Sequence, residues 1–168
     1  MLQVVEERKR MTKRSEELAT ELAQLIASNF VQEMVSEHKS GDKQQLFTRY
    51  YHRTDDVAEA LPFLQAVSFS FNNAVSSSSS ANGSFVLVLV SSAASQTSTS
   101  PTTILLNSSD AKTVQTVAEG LKARLGAKGG GKGTRWSGKW LGVWKEGKEG
   151  SVVKEILDGV KLEQVSVA

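Results

Sequence analysis

Phe85 to Val90 reads Phe-Val-Leu-Val-Leu-Val, an apolar run with no polar residue to turn toward water. A strand of this composition is buried on both faces, so it needs packing layers above and below. Around it the hydrophobic spacing alternates between strand and helix. Leu46 to Arg53 alternates loosely and is rich in aromatics, as a short strand would be. Val57, Leu61, Leu64, Val67 and Phe71 follow at helical spacing, with Pro62 either kinking that helix or marking its first turn. Thr102 to Leu106 is a second apolar strand. Asp110 caps a helix whose buried face is Val114, Val117, Ala118, Leu121 and Leu125, and Gly126 ends it. A last helix runs from about Ser151 to Leu162, with Val153, Ile156, Leu157 and Val160 on one face. The small, polar segments 75–83 and 91–101 are expected as surface connections, the first a mobile loop. This alternation predicts an α/β or α+β domain, a small mixed sheet with packed helices.

Ahead of that body, residues 3–37 contain neither Gly nor Pro and read as one long helix. Val4, Met11, Leu18 and Leu25 recur every seven residues, one seam position of a heptad. The companion positions are Arg8, Ser15, Leu22 and Asn29, of which only Leu22 is apolar. A long two-stranded coiled coil is therefore poorly specified. The helix is expected to pack on a partner helix or on the domain through a narrow stripe, and to stop at Gly41-Asp42. The organisation follows: a helical arm over 1–40 that offers a route to a homodimer, and a globular domain over 44–168.

Composition excludes several chemistries. The 168 residues include no cysteine, which removes disulfides, thiolate nucleophiles and sulfur-ligated zinc. The two histidines, His38 and His52, are too few and too far apart for a metal or acid–base site. His52, beside Asp55 and Asp56, reads as a strand-edge histidine paired with a carboxylate. No serine sits in a nucleophile elbow, so no catalytic or metal-ligating residue is expected in the chain. No apolar run approaches the roughly 18 residues a membrane span requires. Nor does the N-terminus carry a signal-peptide apolar region, so a cytoplasmic protein without a membrane partner is expected.

Charge is unevenly placed. Between Leu121 and Lys148 stand eight basic residues and one acid, a net of +7 that leaves −5 for the rest of the chain. Segregation of this size speaks about a partner, not about the fold. Within it lies Gly126-Ala-Lys-Gly-Gly-Gly-Lys-Gly-Thr-Arg-Trp-Ser-Gly-Lys139. Glycines cost backbone entropy on folding, and their use is to expose N–H groups and admit close approach. Interleaved with Lys128, Lys132, Arg135 and Lys139, they match phosphate oxygens. The expected binding residues are Lys128, Gly129, Gly130, Gly131, Lys132, Gly133, Arg135, Trp136 and Lys139, carried on a loop. Trp136 either stacks on an exposed base or plugs the core beneath the loop. A phosphate-binding P-loop is nearly matched by Gly126, Gly131 and Lys132, but Gly133 replaces the hydroxyl that would hold magnesium. The preceding element is a helix where a P-loop follows a strand, so nucleotide hydrolysis is not expected.

With His52, Arg53 and Asp55, then Phe63 and Leu64, then Thr103 to Leu106 and the tail Leu125 to Lys139, the chain resembles a known domain. It is similar to the C-terminal DHH-associated domain of eukaryotic alanyl-tRNA editing proteins, stand-alone relatives of the alanyl-tRNA synthetase editing domain. The tail carries the likeness best, and Trp140 to Glu149 has no counterpart in that pattern. The resemblance implies a non-catalytic module that binds tRNA, tRNA(Ala) in particular, for a deacylase of mischarged tRNA. The zinc of such an enzyme belongs to an editing domain with His-x-x-x-His and Cys-x-x-x-His motifs, which this chain lacks; no cofactor is implied here. It implies too that the chain is the C-terminal part of such an enzyme and that the helical arm serves self-association. A substrate-binding lobe of a DHH-type phosphoesterase is the other family reading.

Overall fold

The computed structural model of the chain describes residues 1–40, 45–78, 81 and 83–167. Helix α1 spans Leu2–Ser40, strand β1 Phe47–Thr54, helix α2 Val57–Ser77, strand β2 Phe85–Ser92 and strand β3 Pro101–Ser108. Helix α3 covers Ala111–Leu125, strand β4 Lys128–Lys132, strand β5 Arg135–Leu141 and helix α4 Ser151–Val167. A π-helical turn at Glu146–Gly150 leads into α4. The strands form one mixed sheet in the order β1-β2-β3-β5-β4. β1 runs parallel to β2, and the other neighbours are antiparallel. The fold is therefore α/β, as the alternation of strand and helix patterns predicts.

Layering follows from β2, where all eight residues are buried. Val86, Val88 and Val90 point into one core with residues of α3 and α4, while Phe85, Leu87 and Leu89 point into another with residues of α1 and α2. β3 repeats the division, with Ile104 and Leu106 in the first core and Leu105 in the second. The sheet is a middle layer between two helix pairs.

Local signals place most boundaries. Asp110 caps α3 by accepting the Thr113 N–H at 3.0 Å, and Gly126 closes it in the left-handed conformation at φ 74°. α2 starts at Val57, so Pro62 lies inside it, neither in its first turn nor as a stop. α2 also continues through Ser77, because Val75 packs against the core; Val75 to Ser77, expected in a loop, are helical. Ser79, Ser80 and Asn82 of that expected loop, and the Gly41-Asp42 stop of the arm, lie outside the described residues.

As expected, α1 packs on the domain through a narrow stripe, and that stripe is Ala23, Ala27, Phe30 and Met34 and lies apart from the heptad. Small residues at 23 and 27 let the helix come close, and Arg49 of β1 ties it down through Glu33 and Glu37. Val4, Met11, Leu18 and Leu25 remain 56–73 % exposed. A correction concerns the segment expected as a binding loop over 126–139: after Gly126 closes α3, the stretch 128–141 is a β-hairpin and not a loop. Gly133 at φ 67° and Thr134 make a two-residue turn of type II′, whose twist matches paired strands. Pairing of β5 with β3 then adds the hairpin to the sheet.

Leu64→Ala, at a fully buried site on α2, is expected to lower unfolding free energy by about 2–5 kcal/mol. Asp158→Ala on the exposed face of α4 should stay within about 0.5 kcal/mol of the parent in the same urea titration.

Candidate nucleic-acid interface

In an antiparallel pair, residues directly opposite share a face of the sheet. Lys128 stands opposite Lys139, Gly130 opposite Ser137 and Lys132 opposite Arg135. Ser137 in turn stands opposite Leu105, which belongs to the core on the α2 side. All four cations of the motif thus occupy one face of the hairpin, the face toward α2. They form two like-charged cross-strand pairs separated by the bare step of Gly130 and Ser137. Opposed like charges destabilise a sheet. Lys128, Lys132, Arg135 and Lys139 are all exposed, and among the described residues none of them is in an ion pair.

The opposite face is apolar and explains most of the glycines. Trp136 lies in the core beside α3 with 4 % of its surface exposed. Its indole rests on Gly138 and Gly129, where a Cβ would strike the ring. A Cβ at Gly129 would also strike the Ser137 carbonyl, and one at Gly131 the Arg135 carbonyl. Gly126 and Gly133 are required by positive φ. Gly130 is different. Its φ is not in the left-handed region, and a Cβ there would meet nothing within 4 Å. Nothing inside the fold requires a glycine at the midpoint of the charged face.

Trp136 is thereby corrected as a binding residue: it is the core plug, and a base cannot stack on it. The other predicted site residues divide. Lys128, Gly130, Lys132, Arg135 and Lys139 stand together on the open face, with Gly133 at the turn. Gly129 and Gly131 serve the internal contact with β5. The remaining basic residues of the +7 segment are dispersed. Arg124 pairs with Glu155, Lys145 precedes the π-helical turn and Lys148 lies in it, while Lys122 shares a cleft of about 420 Å³ with Gly130 and Arg135 on the α3 side.

β4 is the outer strand of the sheet, and all five of its residues are exposed. Lysines on such an edge discourage pairing with other chains, which accounts for Lys128 and Lys132 without any ligand. It does not account for Arg135 and Lys139 opposite them, nor for Gly130 between. Chemically, the face offers four cations around an unobstructed backbone step, suited to the oxygens of a polyanion.

A second polar cluster, which sequence spacing does not reveal, lies at the other sheet edge. His52 receives Glu146 at Nδ1 and Ser92 Oγ at Nε2, the latter at 2.7 Å. Tyr50 accepts the Trp144 indole N–H and donates to Glu146, both at 2.9 Å. Burial is the main cause that holds the Tyr50 phenol well above its ordinary range. The carboxylate of His52 is thus Glu146 and not Asp55, which instead engages Arg53 and Ser91. Ser92 does lie beside a base, contrary to the sequence reading, but it is 1 % exposed and sealed from any substrate. The cluster binds the Trp144–Gly150 segment to β1. Among the described residues no group of three or more His, Asp or Glu is arranged to hold a metal. No helix among them is long and apolar enough to cross a membrane.

Two glycines one residue apart should respond with opposite sign in thermal unfolding. Gly129→Ala is expected to cost about 1–3 kcal/mol through overpacking. Gly130→Ala should stabilise by about 0.4–1 kcal/mol, since its conformation suits alanine and the unfolded chain loses freedom. No protein-family model and no curated protein matches the sequence, so the reading of this face rests on its geometry and on the resemblance carried by the Gly126–Lys139 motif.

Proposed function

We propose that the chain is a non-catalytic tRNA-binding module of an alanyl-tRNA editing protein, and that the charged face of the β4–β5 hairpin grips the RNA backbone. The observation that carries the reading is the pairing of Lys128 with Lys139 and Lys132 with Arg135 around an unexplained glycine. Two mutually repelling pairs are a cost to the free protein that a bound polyanion converts into attraction. The motif resemblance supports tRNA as the source of that polyanion and tRNA(Ala) as the species. Deacylation of the mischarged tRNA belongs to a zinc editing domain, while this module holds the substrate.

Four phosphate contacts imply that log K falls with log[salt] at a slope of about −3 to −4. Filter binding of a tRNA(Ala) transcript between low and moderate salt measures it. Each change of Lys128, Lys132, Arg135 or Lys139 to Ala should flatten the slope by about 1. A slope near zero in the parent chain, or full affinity after all four changes, defeats the proposal.

A second reading, compatible with the first, concerns the arm. Val4, Met11, Leu18 and Leu25 are exposed along α1. The charges beside them change sign: after Glu6 and Glu7, the basic run Arg8, Lys9, Arg10, Lys13 and Arg14 precedes Glu16, Glu17 and Glu21. Antiparallel pairing of two arms sets the basic segment of one against the acidic segment of the other, whereas parallel pairing opposes like charges. The arm thus suits an antiparallel homodimer. Sedimentation at tens of micromolar should return a dimer that Leu18→Glu converts to a monomer; a monomeric parent chain rules it out.

A further inference from the structure

Beside the charged face lies a cleft of about 180 Å³, walled by Gln65 and Ser68 of α2 on one side and by Gly130, Lys132, Arg135 and Ser137 of the hairpin on the other. Its floor includes Leu105 and part of Trp136, each 4 % exposed. Ser68 is 2 % exposed, and its Oγ has no hydrogen-bond partner among the described residues. A buried hydroxyl left unpaired costs free energy, and such groups in folded proteins call for an explanation. Gln65 presents an exposed amide at the mouth of the cleft. One helical turn further along α2, on the same face as Gln65 but outside the lining of the cleft, stands Phe69, which is 60 % exposed. A large aromatic held in water on a helix that otherwise buries Phe63 and Phe71 is unusual for its element.

We infer that this cleft takes one unpaired nucleobase, with Phe69 as the stacking platform that Trp136 cannot be. The inference rests on the RNA-binding reading above and deepens it: the ligand segment is single-stranded. The charged hairpin face sets the phosphates along one wall, which turns the attached base toward α2. Within the cleft Gln65 offers an amide that both donates and accepts and Ser68 an unpaired hydroxyl below, and Phe69 offers a π-face beyond its rim. The volume is under the roughly 300–1,000 Å³ of pockets that enclose whole drug-sized ligands. A planar base is the part of a nucleotide that suits so narrow a space. A duplex keeps its bases stacked inside and presents none to the cleft. A tRNA presents unpaired bases in its loops and at its 3′ end.

The test compares a mixed-sequence single-stranded RNA of twelve nucleotides with the blunt duplex it forms with its complement, using fluorescence anisotropy at fixed salt. The single strand is expected to bind more tightly. Phe69→Ala should weaken single-strand binding by about 5- to 100-fold with an unchanged salt slope, because stacking involves no counterions. Gln65→Ala should weaken it by less. Phe69 is exposed, so its variant should retain the parent melting temperature, and a lost affinity cannot be charged to unfolding. Equal affinity for strand and duplex, or parent affinity in Phe69→Ala, overturns the single-base cleft while leaving the backbone grip intact. Failure of the parent chain to bind either RNA overturns the backbone grip as well.

Discussion

The two-sided burial of β2 and β3 governs the rest of this molecule. Neither strand can present a face to water, so a helix pair must cover each side. α2 covers the central strands on one side, and α3 and α4 cover them on the other. That cover ends before the last two strands. β5 still has an apolar face for the α3-side core, through Trp136, but its α2-side face carries Arg135, Ser137 and Lys139, with Leu141 exposed at its end. The open, charged surface lies where the helical layer runs out.

The hairpin shows how one short segment can serve the core and the surface at once. Strand geometry sends alternate residues to opposite faces. Trp136 and Gly138 go inward, and Arg135, Ser137 and Lys139 go outward. The indole is too wide to sit above side chains on the neighbouring strand, so glycine is required wherever it lies. Two of the six glycines, Gly129 and Gly138, are thus a packing requirement of a single tryptophan. Gly130 lies on the face where the core makes no demand.

Much of this was readable from the chain alone, and the failures have physical causes. The buried strand Phe85–Val90, the Asp110 cap and the Gly126 stop are local signals, and local signals survive into the fold. The hairpin was misread as a loop because glycine has no strand propensity of its own; pairing with β3 imposes the extended form. The residues of the domain-facing stripe of α1 do not stand out in the sequence, because Ala23 and Ala27 look less adhesive than the leucines of the heptad, yet close approach favours the small residues. His52 was assigned a neighbour in sequence, whereas its carboxylate comes from Glu146, brought in by the return of the chain across β1. The four cations were found at once, but their pairing into like-charged opposites depends on register, which spacing does not encode.

The opposed cations give dissolved salt two contrary roles. In the free protein, Lys128 against Lys139 and Lys132 against Arg135 repel across the ladder, and screening over a Debye length of about 8 Å at physiological ionic strength relaxes that repulsion. The same screening ions compete with an anionic ligand for those side chains. Rising ionic strength therefore tightens the empty hairpin while loosening its hold on a polyanion. On the proposed reading, a polyanion on this face would act on the hairpin as a local, very concentrated salt.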